Sequence, residues 1–427
     1  MTVILLLLLA VACFALLLVG LRRRDGIYRY PFLAAAVFTG FVLPQLIGLS
    51  NEGGLPYLAL DKTLFMTLLC VAMVYVGDRL GTKPLHALGF DYDKSRLLIA
   101  SAVLSAVGAF FFYQISRLDP ELTGVSQWTG LPVAYLFFAQ LMTYGLAIAA
   151  LHFASTSSRW ALAIIVFDLA FYFDRIFIGA RRGDAAELLA IFALAAWFGR
   201  GRTVPRAAAI AVLVLGTLFL HSTGDYRAQA KEQSPLQAVA SIPFRENLAR
   251  LFEEGGEELR NAVYQIEASD RNLDFDYGAF QWNILVFNYV PAQLVGHGFK
   301  ESLLIPVSDV AYQEFGHEGW TGSTSTGMAD AFRSYWYFGS LLFLLFGYVL
   351  ARIYKSAVHG NVGMQLVYML MIVNGLHAIT HHTNWFVSPW VHWAVFMLPA
   401  LFYARLRKHK GYLKAGLDHK MARNRDA

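Results

Sequence analysis

The chain has 427 residues, of which 57% are hydrophobic and only 15% charged, and its mean hydropathy is +0.46. A soluble domain carries about 25% charged residues, so these proportions exclude an ordinary water-soluble domain and point to an all-α polytopic membrane protein, with spans of about 20 apolar residues. The net charge of +5 carries information through its placement. The two cysteines, Cys13 and Cys70, both lie in apolar runs and suggest neither a disulfide nor a thiolate metal site.

The first apolar run, Thr2 to Leu21, has no basic residue before it and is followed by Arg22, Arg23 and Arg24, so it reads as a retained helix rather than a cleaved signal. Further runs of spanning length lie near 31–49, 63–78, 97–115, 131–153, 160–177, 185–199, 207–221, 335–353, 364–380 and 387–404. About eleven transmembrane helices are therefore predicted. Eight form an N-terminal bundle (1–221) and three follow a long connecting segment (335–404, after 222–334). A basic tail, 405–427, closes the chain.

The short loops alternate in charge. One set holds Arg22, Arg23, Arg24 and Arg29, then Arg79, Lys83, Lys94 and Arg96, then Arg159, then Arg200, Arg202 and Arg206, then Arg352 and Lys355. The other set, 50–62, 116–130 and 381–386, is nearly free of basic residues. The positive-inside rule puts the first set and the C-terminus in the cytoplasm, and the N-terminus outside. An odd number of spans requires the same arrangement.

Two regions run against the rule. The segment 222–334 is long, and long loops translocate whatever their charge. The stretch from Asp174 to Asp184 is short, yet it sets Arg175, Arg181 and Arg182 on the outer side between two apolar runs. Ionisable groups there mark a site, unless they only snorkel to headgroups or pair with Asp174, Asp184, Glu187, Asp225 or Asp330. Within the long segment, Phe244, Leu248, Leu251 and Phe252 recur at helical spacing, predicting an amphipathic helix inside 241–271 broken at Gly255-Gly256. Residues 278–295 are apolar but carry Gln281, Asn283, Asn288 and Pro291, which suits a re-entrant or interfacial helix.

No phosphate-binding glycine loop, dinucleotide fingerprint, zinc-protease motif or nucleophile elbow is present. His377 and His381 are four apart and share a helix face, but such histidines more often bond polar neighbours than hold a metal. No metal or other cofactor is expected. What remains is a set of outer-face groups: Arg175, Arg181, Arg182, Arg227, Arg333, His377, His381 and His382. Guanidinium groups grip phosphate bidentately and keep their charge, so the set suits an anionic lipid-linked substrate such as a prenyl diphosphate.

Four local features carry a family resemblance. They are Arg181-Arg182-Gly183-Asp184 opening a span, Tyr226-Arg227 after the next span, Asn288-Tyr-Val-Pro291 leading to Gly296-His-Gly-Phe299, and Ser323-Thr-Ser-Thr-Gly-Met-Ala-Asp330 running to Phe338-Gly339. In this order, over about 174–355, the chain resembles the bacterial oligosaccharide repeat-unit polymerases (Wzy type), relatives of the O-antigen ligases. It departs from their pattern at Arg181, where a small residue is usual, and at Asp330, where a Gly-Glu pair is common.

The resemblance implies a GT-C-like glycosyltransferase in the bacterial inner membrane, with a periplasmic N-terminus and a large periplasmic loop containing interfacial helices. It implies transfer of a growing glycan from undecaprenyl diphosphate to an incoming lipid-linked unit, for O-antigen, exopolysaccharide or capsule. A flippase and a chain-length regulator of the same pathway are the partners it implies, and no nucleic acid. On this reading Arg182 and Arg227 stabilise the leaving diphosphate, with Arg175, Arg181 and Arg333 as further ligands. His377, His381 and Asp184 are the candidate general bases, and Trp282, Tyr289 and Trp320 could stack sugars. A ligase would use nearly the same site. A transporter or flippase would instead need polar groups at mid-membrane, where Asp168 is the clearest acid.

Overall fold

The computed structural model describes residues 1–119, 130–179, 181–230, 233–318 and 324–406. The expectations for Trp320 and for the basic tail beyond Leu406 lie outside these residues. Among the described residues the chain is helical, with no strand beyond an isolated bridge between Tyr92 and Arg405.

The first part comprises α1 (Thr2–Arg22), α2 (Tyr30–Leu49), α3 (Ala59–Leu80), α4 (Lys94–Ser116), α5 (Leu131–Thr156), α6 (Arg159–Phe173), α7 (Arg182–Arg200) and α8 (Arg206–His221). Among the described residues the connecting segment holds eight short helices: α9 (Thr223–Gln229), α10 (Pro235–Ala240), α11 (Phe244–Glu254), α12 (Glu257–Asn272), α13 (Ala279–Tyr289), α14 (Ala292–Val295), α15 (His297–Ser302) and α16 (Val310–Phe315). The chain then forms α17 (Thr326–Tyr335), α18 (Ser340–Val358), α19 (Val362–Thr380) and α20 (Asn384–Ala404).

Among the described residues eight helical segments are long and apolar enough to cross a membrane, or nine if α8 and α9, bent by 61° at their junction, form one. This is the architecture of a helical polytopic membrane protein. Two of the eleven expected spans, α6 and α7, are present as helices but do not qualify: α6 has only 15 residues before its π-turn, and α7 carries too much charge. Asp168 lies within α6, and Arg182, Asp184 and Glu187 open α7. Both nevertheless pack in the bundle against α5, and α7 also lies along α19.

Helices α2 and α19 are the most enclosed and stand at the centre. Hydrocarbon gives apolar helices no hydrophobic drive to associate, so they pack through small residues that let backbones approach. The α3–α18 contact shows this: a Cβ at Gly77 would lie 2.1 Å from the Leu344 carbonyl oxygen, and one at Gly347 2.5 Å from that of Val74.

The break predicted at Gly255-Gly256 separates α11 from α12. Helix α11 packs on the end of α2, and α12 packs on α3, α16 and α17, so α12 lies over one end of the bundle. Helix α13 has 11 residues and stops before Pro291. At 1.5 Å per residue it spans only about 16 Å and cannot cross a core of about 30 Å, in keeping with an interfacial helix.

Candidate active site

At Asp174–Ile178, α6 passes into a single π-turn. Such turns are rare and concentrate at functional sites. The turn is closed by the Gly179 amide on the Asp174 carbonyl at 3.0 Å, and the Arg181 amide reaches the Arg175 carbonyl at 3.1 Å. The chain is thereby folded back so that Arg181 sits at the start of α7.

The acidic and basic groups of this stretch separate into two kinds. Arg175 donates to Asp184 at 2.6 Å, and both side chains are only 13% exposed. The Arg175 guanidinium also lies 4.8 Å from the Phe112 ring centroid and 5.3 Å from that of Tyr172. Arg175 thus pairs with Asp184, nine residues on, and joins α6 to α7. One Asp184 oxygen is held by Arg175 and the other is buried, so Asp184 serves the tie between α6 and α7.

Arg182 is placed differently. Its Nη1 donates to the Leu220 carbonyl at 3.2 Å and its Nη2 stands 3.8 Å from Glu258 of α12. Arg227, on α9, lies within electrostatic range of both Arg181 and Arg182. Arg181 and Arg227 are exposed. The motifs 181–183 and 226–227, distant in sequence, therefore meet at the end of the bundle that carries the long segment.

The histidines meet them there. A Cβ at Gly183 would lie 3.1 Å from His377 Nε2, so the imidazole rests on the backbone beside Arg182. His377 and His381 have ring centroids 5.5 Å apart, and Trp385 packs against both at 5.0 and 5.4 Å. His381 Nδ1 is 2.8 Å from the Thr380 hydroxyl. Burial, followed by the nearby charges of His377, Arg182 and His382, pushes His381 down to about 3. His382 is also pushed down by burial, against the pull of Asp330. No group of three or more metal-ligating side chains occurs among the described residues.

Arg333 belongs to a closed clamp beside this cluster. It pairs with Asp276 at 2.9 Å and Asp330 at 2.9 Å, and its guanidinium lies 4.0 Å from the Phe280 ring centroid. Asp330 is buried and accepts from the Thr383 amide at 2.8 Å, the Thr383 hydroxyl and Gln281 at 3.2 Å. The clamp fastens the turn that carries His381, His382 and Trp385. It uses up the Arg333 charge locally, so the expected diphosphate role does not fit this position.

The aromatic candidates are also held elsewhere. Trp282 donates to the Leu303 carbonyl at 2.8 Å, and the Tyr289 hydroxyl donates to the Ser388 carbonyl in the first turns of α20. Both tie α13 to its neighbours instead of joining the cluster. Residues not singled out from sequence are Trp385 and Glu258. The spacing His377-x₃-His381-x₃-Trp385 was a usable signal for the first. Glu258 carries none, because the docking of α12 over the bundle is a long-range event.

No family model, no curated protein and no solved structure matches this chain.

Proposed function

We propose that this chain is a polymerase of undecaprenyl-diphosphate-linked oligosaccharide units, a GT-C-type glycosyltransferase of the bacterial inner membrane acting at the periplasmic face. The observation that carries the reading is the convergence of Arg181-Arg182-Gly183, Arg227, His377, His381 and Trp385 at one mouth of a membrane bundle. The loop charges supply the orientation, with the N-terminus periplasmic and the C-terminus cytoplasmic.

In the reaction the bond between the anomeric carbon and the diphosphate oxygen breaks, and an acceptor hydroxyl oxygen bonds to that carbon. The electron pair leaves with undecaprenyl diphosphate, and Arg182, Arg181 and Arg227 stabilise the charge that develops there. The hydroxyl proton passes to a base, for which His381 is the first choice and His377 the second. An imidazole pushed down to about 3 is neutral at pH 7 but a weak base. A diphosphate anion bound alongside raises it, so the base gains strength only when the donor is in place. Trp385 offers a face for a sugar.

Deletion of the chain is the direct test: a single repeat unit on undecaprenyl diphosphate accumulates if it is a polymerase. Full-length glycan on that lipid would assign it to ligation instead, and no lipid-linked intermediate at all would overturn both.

A further inference from the structure

The opposite end of the bundle carries a second built feature. Thr2 of α1 donates to Asp61 of α3 at 2.6 Å at the loop-bearing end, so the C-terminal ends of α1 and α3 lie together at the other. There α1, α2 and α3 border an open surface cleft lined by Val19, Arg23, Arg29, Tyr75, Asp78 and Arg79 among others.

The charges of this cleft do not cancel. Arg29 Nη2 donates to both Asp78 oxygens at 2.9 Å, which makes a neutral pair on the cleft wall. Arg23 and Arg79 are exposed and make no ion pair among the described residues. The Arg79 guanidinium is stacked 5.0 Å from the Tyr75 ring centroid, and Arg23 is held in the tight turn that joins α1 to α2, where the Gly26 amide bonds the Arg23 carbonyl. Snorkelling arginines on a convex surface point apart into water. These two come from different helices and border one cleft. Above it the apolar surfaces of Val11, Phe14, Leu18 and Val19 on α1 and Val76 and Leu80 on α3 are exposed and ready for acyl chains.

We propose that this cleft binds the phosphate of an anionic membrane lipid, with Arg23 and Arg79 gripping the headgroup and the Arg29–Asp78 pair fixing the wall between them. Basic pockets between transmembrane helices are suited to such headgroups. The assignment is independent of the reaction proposed for the other end.

The test is native mass spectrometry of the full-length protein in detergent, titrated with phosphatidylglycerol or with phosphatidylcholine of the same chains. The wild type should retain phosphatidylglycerol in preference. Losing two surface cations should weaken that binding about 30-fold in Arg23→Gln/Arg79→Gln, and about five-fold in each single variant. The single variants decide the matter if the double one does not fold. Arg22→Gln/Arg24→Gln removes the same charge outside the cleft and should weaken binding clearly less than the cleft double variant does. Equal retention of the two lipids, or equal loss in the control variant, would overturn the proposal. So would displacement of bound phosphatidylglycerol by millimolar inorganic phosphate, which would mark a free-anion site.

Discussion

Two arginine-containing assemblies stand side by side at the loop-bearing end, and they are built on opposite principles. In the clamp, Arg333 meets Asp276 and Asp330, and Asp330 takes every further hydrogen bond from Thr383 and Gln281. In the cluster, Arg227 bears on both Arg181 and Arg182 as a like charge, and Arg182 meets the Leu220 carbonyl at 3.2 Å and Glu258 only at 3.8 Å. A closed network uses its charge to hold helices together. A looser one brings like charges together at one mouth, where an anion would gain from all of them, which is how a binding site differs from a tie. The contrast also divides one short stretch of sequence, since Arg175 is tied to Asp184 while Arg182, seven residues on, is not.

The largest effect should come from breaking the clamp. Arg333→Ala leaves Asp330 and Asp276 buried without their cation, and removing one partner of a buried pair costs about 3–5 kcal/mol. The variant should show a much lower unfolding temperature in detergent and reduced membrane abundance. A stable, abundant Arg333→Ala protein with altered glycan would move Arg333 from the tie to the site.

Opening the cluster further should do the reverse. Arg182→Ala is expected to leave abundance and unfolding temperature nearly unchanged while lowering polymerisation about 10²–10³-fold, the usual cost of losing one charge-stabilising donor. Arg227→Ala should behave likewise. Glycan ladders on gels read this directly, and wild-type ladders from both variants would end the proposed role.

The contrast explains what could be read from sequence and what could not. Apolar runs located nearly every long helix, because hydrocarbon imposes length and composition on each span separately. The helix break at Gly255-Gly256 was equally local. Pairings were not. Five acids were open to the arginines of the 174–184 stretch, and the π-turn selects Asp184 for Arg175; nothing periodic announces a π-turn. Asp330 was a visible partner for Arg333, but Asp276 was not, because it lies across a turn 57 positions away in sequence. The meeting of His377 with Gly183 depends on α7 lying along α19, a tertiary fact.

A smaller effect should separate geometry from charge within the cluster. Gly183→Ala adds a methyl group whose carbon would sit 3.1 Å from His377 Nε2 and 3.2 Å from its Cε1. That is tighter than normal contact, so the imidazole must move by a few tenths of an ångström. A 1 Å misplacement can cost about 10²-fold, so a loss of only several-fold in kcat is expected, with an unchanged unfolding temperature. Unaltered turnover would show that the His377 ring position is not critical.

The finest distinction concerns protons. The unfolded His381 titrates near 6.5, whereas in the fold burial and its cationic neighbours push it down to about 3. As pH falls below about 6.5 the unfolded chain takes up a proton that the folded chain refuses, so folding stability from this group is complete above that pH and is lost progressively toward pH 3. Between pH 7.5 and 5 the wild-type unfolding temperature should therefore drop more steeply than that of His381→Asn, which has nothing to titrate there. The clamp offers a control: Thr383→Val removes a hydrogen bond to Asp330 but no group that titrates in this range, so its curve should run parallel to the wild type. If His381→Asn also runs parallel, His381 keeps an ordinary imidazole environment, and the proposal that substrate charge switches on the base loses its starting point.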